Sequence, residues 1–518
     1  MNITSYEEAI NYLEGFIGKV VFKINKEFLK KRDPLQRMRI LLSLLGNPQE
    51  KFRSVLVGGT SGKGSTAYLI SHILTVAGYK TGFTVSPHLQ KVNERLQINN
   101  KSISNENFLI LFKSIILPSI RQMSKMEVGP PSYFEILVAM GFKHFADQKV
   151  DIAVAEVGMG GEFDATNTLN PLIAVLTNVG LDHTNILGKT VSKIARTKAG
   201  IIKTGATPLV VVSGVRQPTV IKIVEDRCRK VGAKLNLLWR NFGYKIKKIN
   251  HEGSVFDLTV SSGRGLQLND LSLSFLGDYQ VENASLAIKT ILELRELGFS
   301  HNARASRDKK ISDSAIRKAL KTSFFPGRFE VIHVAQQPRV SDDARQTDSN
   351  PSPNSASLSK SRLQSRTQPT FSSSESGLSR SNHTLILDSA HNPTKMRAFL
   401  ATLKKLYPKE KKVFLVGFKF DKDIQKMLKQ IIKVADEIII TEFNRATDMN
   451  LHASADAESI KYQVLSIKYS GKIIVEKDSK KALKIGIKTI QQFNNETILV
   501  VTGSLYLVGE IRGLLTKF

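Results

Sequence analysis

The 518-residue chain holds one cysteine, Cys228, and one tryptophan. A single thiol excludes an internal disulfide and any zinc site built on cysteines. Acidic residues are scarce beside basic ones, 46 against 75, which gives a formal net charge of +29. No run of about 18 apolar residues occurs, which argues against a membrane-spanning helix. Met1 to Phe16 carries Glu7 and Glu8 and lacks an unbroken apolar core, so it reads as neither signal nor transit peptide, and a cytoplasmic address is expected. Positive charge by itself suggests nucleic acid. Here the lysines are spread along the chain, and no zinc-finger, helix-turn-helix or RRM signature accompanies them. Small anionic substrates are the expected beneficiaries of the field, and neither nucleic acid nor membrane is expected as a partner. Hydrophobic residues make up 41%, ample for two or three cores.

What is present is concentrated in Val55-Leu56-Val57-Gly58-Gly59-Thr60-Ser61-Gly62-Lys63-Gly64-Ser65-Thr66. A short apolar run breaks into glycines, a lysine and hydroxyls, and then becomes helical. Glycines at 59, 62 and 64 let backbone N–H groups turn toward phosphate oxygens, and a helix starting near Ser65 adds its positive end. Lys63 supplies a point charge, and Ser65 or Thr66 can face Mg²⁺. Gly59 to Ser65 is thus a nucleoside triphosphate cradle. Gly64 stands between the lysine and the first hydroxyl, which departs from the common G-x-x-x-x-G-K-[ST] spacing. Ala67, Ile70, Ile73, Leu74 and Ala77 recur on one helical face, and Gly78 marks its end.

Residues 1 to 325 alternate strand-like and helix-like segments, as a mostly parallel sheet covered on both faces requires. Strands are expected at Ser54 to Val57, Ile152 to Ala155 and Ile173 to Thr177. Loops beginning at Glu156 and Asn178 follow two of them and should lie near the cradle, because ligands of open α/β sheets sit beyond the carboxyl ends of strands. Residues 326 to 518 form a second, smaller α/β segment of Rossmann-like character. Its strands are expected at Phe329 to Ala335, Thr384 to Leu387, Val413 to Val416, Glu437 to Ile440, Lys472 to Val475 and Ile498 to Val501. From Gln336 to His383 the large apolar residues are few amid serine, asparagine, arginine and proline. Such a stretch cannot bury enough surface to offset its ordering entropy, so it reads as a disordered, low-complexity insertion between two adjacent strands.

Further polar clusters follow the cradle: Ser86-Pro87-His88-Leu89, Asn93-Glu94-Arg95, Tyr133-Phe134-Glu135, Glu156-Val157-Gly158-Met159-Gly160-Gly161, Asp164 to Asn167, Asp182-His183 and Lys198 to Lys203. Together with Leu45-Gly46-Asn47-Pro48, Gln280 to Ala284, Pro326-Gly327-Arg328, Asp388-Ser389-Ala390-His391-Asn392-Pro393 and Thr502 to Tyr506, their order along the chain resembles the folylpolyglutamate synthase/dihydrofolate synthase family of the Mur ligase superfamily. The resemblance covers nearly the whole chain.

It implies ATP and two Mg²⁺ ions as cofactors. Ser86, Glu156 and His183 match the family's metal ligands, with Ser65 facing a second ion, and Lys198 matches a lysine carried as a carbamate. Asn283 is implied for adenine, Arg328 and His391 for phosphate oxygens, and Asp388 for the nucleotide. Ser132, Tyr133, Phe134 and Glu135 resemble the pterin-contact segment, and Phe163, Asp164 and Ala165 its companion loop. Alanine at 165 resembles the members that use dihydropteroate. A carboxylate cannot form an amide without activation, so the implied chemistry is transfer of the ATP γ-phosphoryl group to the pterin acid. Attack of L-glutamate's amine on the acyl phosphate follows, with Lys63, Lys198 and His391 implied as catalytic and a monomer expected.

Glu162 departs from the family's usual arginine, Tyr279 stands where histidine is common, and Ser61 where asparagine often occurs. The competing class is a basic P-loop ATPase acting on nucleic acid, which leaves Asp388 to Pro393 unexplained. The murein-building ligases carry a preceding domain, for which the roughly fifty residues before the cradle give no room.

Overall fold

The computed structural model describes residues 3–18, 33, 35–204, 209–261, 265–299, 311–335, 382–450, 452–492 and 497–515. They form two compact units: Met1–Pro326 with Asn444–Ala453, and Gly327–Phe443 with Ser454–Phe518. The segment Asn444–Ala453, assigned by sequence to the C-terminal half, thus belongs to the first unit.

Eight strands make the main sheet of the first unit: β1 (Arg53–Gly58), β2 (Thr81–Thr84), β3 (Gln97–Ile98), β4 (Lys101–Ser102), β5 (Ile152–Glu156), β6 (Ile173–Leu176), β7 (Val210–Ser213) and β8 (Lys234–Leu237). Their order is β4-β3-β2-β5-β1-β6-β7-β8. β1 lies at the centre, parallel to both β5 and β6, and only the β2-β3-β4 edge runs antiparallel. Successive side chains of β1 enter opposite cores: Leu56 packs with one hydrophobic cluster, Val55 and Val57 with the other. That is the period-2 pattern of a strand buried on both faces.

Helix α1 (Lys63–Val76) starts directly after the cradle. The expectation of a single apolar face is too narrow: Gly64 to Ser71 are all buried. The helix is enclosed between the sheet, α4 (Asp278–Glu296) and the helix Asp313–Lys321. The other elements used below are α2 (Tyr133–Asp147) and α3 (Val191–Ala199). A three-stranded antiparallel sheet in this unit, formed by β9 (Phe242–Asn250), β10 (Gly253–Val260) and β11 (Leu266–Leu273), is not foreshadowed by the sequence pattern. Its polar outer positions, such as Lys245, Lys247 and Lys248, conceal the alternation.

The second unit is a six-stranded sheet of β12 (Glu330–Ala335), β13 (Asn382–Leu387), β14 (Lys411–Val416), β15 (Glu437–Ile440), β16 (Lys472–Val475) and β17 (Thr497–Thr502), ordered β12-β13-β17-β14-β15-β16. β12 and β13 pair antiparallel, and the remaining pairs are parallel. The expected insertion Gln336 to His383 lies outside the described residues except at its end. Asn382 and His383 belong to β13, opposite Ala335 and Val334, so the strand starts two residues earlier than expected. Among the described residues no helix is long and apolar enough to cross a membrane.

Candidate active site

The cradle is held open by the next strand. Thr177, just past β6, places its hydroxyl 2.7 Å from the Ser61 carbonyl and 3.3 Å from that of Gly58. Asn178 accepts from Thr60 N through its backbone and from Ser61 N through Oδ1, both at 2.9 Å, and Thr60 Oγ1 accepts from Gly180 N at 3.0 Å. Gly59, at φ +141°, has no room for a side chain, since a Cβ there would overlap Thr177 Oγ1. Gly62, at φ +81°, is pressed against Asn283, which is buried on α4 and hydrogen-bonds Gln280 at 2.9 Å. Residue 283, implied for adenine, thus lies against the cradle turn.

Tyr68 of α1 stacks on Phe325 at 4.9 Å, and the Phe325 ring edge covers Gly64. Both aromatics escaped the sequence reading, because neither sits in a polar motif.

Lys63 and the end of β5 meet at the cradle floor. Lys63 Nζ is 3.9 Å from Glu156 Oε1, and Ser86 N donates to Glu156 Oε2 at 3.2 Å. The hydroxyls of Ser61, Thr66 and Ser86 are shut from solvent and have no hydrogen-bond partner among the described residues. Buried hydroxyls without partners are costly. Ser61 lies in the cradle turn, Thr66 in the first turn of α1 and Ser86 where its N–H meets Glu156, and such hydroxyls with Lys63 and Glu156 are a donor set that suits phosphate oxygens and a hard cation such as Mg²⁺. Ser65 is buried in the first turn of α1. Lys198, 5% exposed on α3, donates from Nζ to the Gly59 carbonyl at 2.8 Å, so it reaches the cradle backbone itself. His183 takes a left-handed conformation at the head of a short helix, with Nε2 3.9 Å from Asp182 Oδ1.

Several residues of the expected substrate segment do structural work. Ser132 caps α2 and exchanges hydrogen bonds with Glu135 in a capping box, and Glu135 also pairs with Arg37 at 2.7 Å. Asp164 caps the turn at Ala165–Thr168 and accepts from Met159 N at 2.8 Å. Burial raises its carboxyl above the usual range against those hydrogen bonds and the charge of Lys63. Phe134 packs on Gly158, Ala165 is buried and Phe163 is 38% exposed. Glu162, the charge departure, is exposed and holds its loop to α3 through its backbone N–H on Thr197 O at 2.9 Å.

Tyr133 is buried beneath the Arg95 guanidinium, 5.8 Å from the ring centroid. Arg95 is 2% exposed and bound on every edge: Nε donates to His88 Nδ1 at 3.1 Å, and the two terminal nitrogens pair with both oxygens of Asp448. Arg445 donates to the Leu89 and Gln90 carbonyls, while Glu94 accepts from the N–H groups of Leu89, Gln90 and Lys91. Residues from the Asn444–Ala453 excursion therefore complete the packing of the 88–95 loop. Arg95 and Asp448 stand 353 positions apart, so no local signal could have paired them. Asp448→Ala leaves a buried guanidinium without its carboxylate and is expected to lower the stability of this unit by about 3 kcal/mol in denaturant titration.

The second unit carries Asp388, Arg328 and His391. Asp388 accepts from Phe329 N and Ala390 N, each at 2.9 Å, and Arg328 donates to Ser389 Oγ. Burial pushes the Asp388 carboxyl up to about 6, opposed by Arg328, by the two backbone N–H groups and by Lys395. A carboxyl whose folded pKa exceeds its unfolded one destabilises the fold once ionised. Stability should accordingly fall as pH rises from about 4 through 6, by up to about 3 kcal/mol from this group, and Asp388→Asn should flatten that slope in denaturant titrations at stepped pH.

The family model described as Mur ligase middle domain matches residues 125–291, and that described as dihydrofolate synthetase, C-terminal domain, matches residues 372–515. The chain is 30% identical over 438 residues to a dihydrofolate synthase/folylpolyglutamate synthase of Mycobacterium tuberculosis, covering 82% of this chain and 78% of the relative. The protein of that name from Bacillus subtilis is 28% identical over 519 residues, covering 98% and 99%. A solved folylpolyglutamate synthase of Mycobacterium tuberculosis complexed with ADP matches with a TM-score of 0.76 at 26% identity, covering 98% of each chain.

Proposed function

Since the chain belongs to the dihydrofolate synthase/folylpolyglutamate synthase family, we propose that it is an ATP-dependent, ADP-forming ligase joining L-glutamate to dihydropteroate, to folates already bearing glutamate, or to both. The observation that carries this reading is the cradle: Lys63 beside Glu156, which Ser86 N also meets, with the hydroxyls of Ser61, Thr66 and Ser86 buried and unpartnered among the described residues. The family's ligase character favours this over an ATPase acting on nucleic acid.

The reaction needs a phosphoryl acceptor, an electrophile and a dry, charged site. The glycine turn supplies backbone N–H groups to the phosphates, and Lys63 offsets charge that moves onto the β–γ bridge as the acid's carboxylate takes the γ-phosphoryl group. Glutamate's amine then attacks the acyl carbon and phosphate leaves, so one amide forms as one ATP becomes ADP and phosphate. Ser86, Glu156 and His183 would hold one Mg²⁺ and Ser65 would face another. When bound, such ions supply Lewis-acid neutralisation of phosphate charge. Carbamylation of the neutral Lys198 amine by CO₂ would release a proton and leave an N–H that can still donate to the Gly59 carbonyl. The resemblance of Ala165 to the members that use dihydropteroate supports that acid as one substrate, and the half-buried Phe134 ring offers flat apolar surface to a pterin, whereas Tyr133 is taken up beneath Arg95. A monomer with these parts in one chain is sufficient.

Purified protein incubated with ATP, Mg²⁺ and labelled L-glutamate should yield an amide with dihydropteroate, with tetrahydrofolate, or with both. Turnover with neither acid would defeat the proposal. Lys198→Ala is expected to reduce that turnover by about 100-fold or more, and ¹³C-bicarbonate should give a carbamate resonance in the wild type that the variant lacks.

A further inference from the structure

The one tryptophan of the chain stands in the open. Leu238 before it and Phe242 after it are buried in the core, yet Trp239 is 53% exposed and belongs to neither hydrophobic cluster of the described residues. Its backbone is left-handed, at φ +69°, a conformation that a bulky side chain adopts only where its surroundings impose it. The turn that does so closes with Trp239 N donating to the Phe242 carbonyl at 2.7 Å. Gly243 then lets the indole lie on β9, because a Cβ there would come within 3.2 Å of the ring.

Tyr244 tilts against the indole with 4.7 Å between ring centroids, and the guanidinium carbon of Arg216 lies 5.7 Å from the ring centre. Arg216 pairs with Glu282, and the Tyr244 hydroxyl lies 3.5 Å from the same carboxylate. The side chain of Arg216 is itself 54% exposed. An indole and a guanidinium, each more than half open, thus form one platform that Glu282 and Tyr244 hold in place.

Two connections set this platform beside the cradle. Glu282 precedes Asn283 on α4, and Asn283 is pressed against Gly62. Gln217, next to Arg216, donates from Nε2 to the Val179 carbonyl at 2.9 Å, in the loop whose Asn178 and Gly180 brace Ser61 and Thr60. β1, β6, β7 and β8 run parallel, so Arg216 after β7 and Trp239 after β8 share the carboxyl edge of the sheet with the cradle after β1. Ligands of open α/β sheets sit along that edge. The glycine turn grips phosphates and leaves the base to other residues, and aromatic rings and guanidinium planes are the groups on which bases stack.

We propose that Trp239, with Arg216 beside it, is a stacking surface for the nucleobase of the bound ATP. The proposal rests on the nucleotide-binding part of the ligase reading given above.

The full-length protein carries its own probe, since tryptophan emission reports on Trp239 alone. Titration with ADP and Mg²⁺ should change that emission with the same Kd that calorimetry gives, whereas inorganic tripolyphosphate, which has no base, should bind without changing it. Trp239→Ala should raise the Kd of ADP by about 5- to 100-fold and leave that of tripolyphosphate unaltered, with Trp239→Phe recovering most of the loss. Unchanged emission on ADP binding, or an unchanged ADP affinity in Trp239→Ala, overturns the proposal. An equal loss for ADP and tripolyphosphate also overturns it, because Trp239 would then act only by shaping the cradle. A loss of affinity for dihydropteroate with ADP unaffected overturns it in favour of the pterin as the stacked ring. If the wild type binds ADP as described but makes no amide, the ligase reading fails and the stacking assignment stands; if it binds no ADP, both fail.

Discussion

Lys63→Met should reduce single-turnover ADP formation by about 1,000-fold while leaving the protein folded. Methionine keeps the unbranched apolar stem, so the packing of a side chain that is only 16% exposed is preserved. What disappears is the charge 3.9 Å from Glu156, at the floor of the glycine turn. A group aimed at charge that develops in the transition state costs far more when removed than one that binds ground and transition states alike. The effect should therefore fall mainly on the rate of phosphoryl transfer, with a smaller loss in ADP affinity. If rapid-quench measurements gave a loss below about 10-fold, Lys63 would be a structural partner of Glu156 and no more.

Gly59→Ala should have an effect nearly as large, by a different route. The backbone at φ +141° disfavours any side chain, at a cost of about 1–3 kcal/mol. The added methyl would also overlap Thr177 Oγ1, the hydroxyl that bridges the Gly58 and Ser61 carbonyls. Relief requires the cradle to open, which misplaces every N–H group in it. Calorimetric ADP binding should weaken by at least about 100-fold, the equivalent of about 3 kcal/mol. The double variant Gly59→Ala/Thr177→Gly removes the overlap, so the two changes should be less than additive. Strict additivity would show that the clash is not the cause.

The two cases differ in how far sequence alone foretells them. Lys63 is legible because a lysine after G-x-x-G has one common use and the chemistry is local to a few residues. Gly59 is legible as a glycine, but its necessity comes from Thr177, which sits on another strand and looks like an ordinary β-branched residue at a strand end. Ser132, Glu135 and Asp164 sit where a substrate segment is implied, yet their polar atoms are engaged in capping and loop closure. A carboxylate in a motif gives no sign of which hydrogen bonds it already makes. The β9–β11 sheet stayed hidden because a half-exposed meander with lysines on its open face lacks the apolar runs that mark the buried parallel strands.

Period-2 runs, the glycine turn and the order of polar loops are one-dimensional features, and from them the chain itself determined an α/β sheet with a phosphate cradle at the end of β1 and a second α/β unit after it. They are visible because helix and strand periodicity and turn chemistry are local. Folding decided what local chemistry cannot specify. It brought Asp448 across 353 positions to Arg95 and set Lys198 on the Gly59 carbonyl. Each of these is a pairing of polar groups withdrawn from water, and the partner is settled by which surfaces the packed cores bring within about 3 Å.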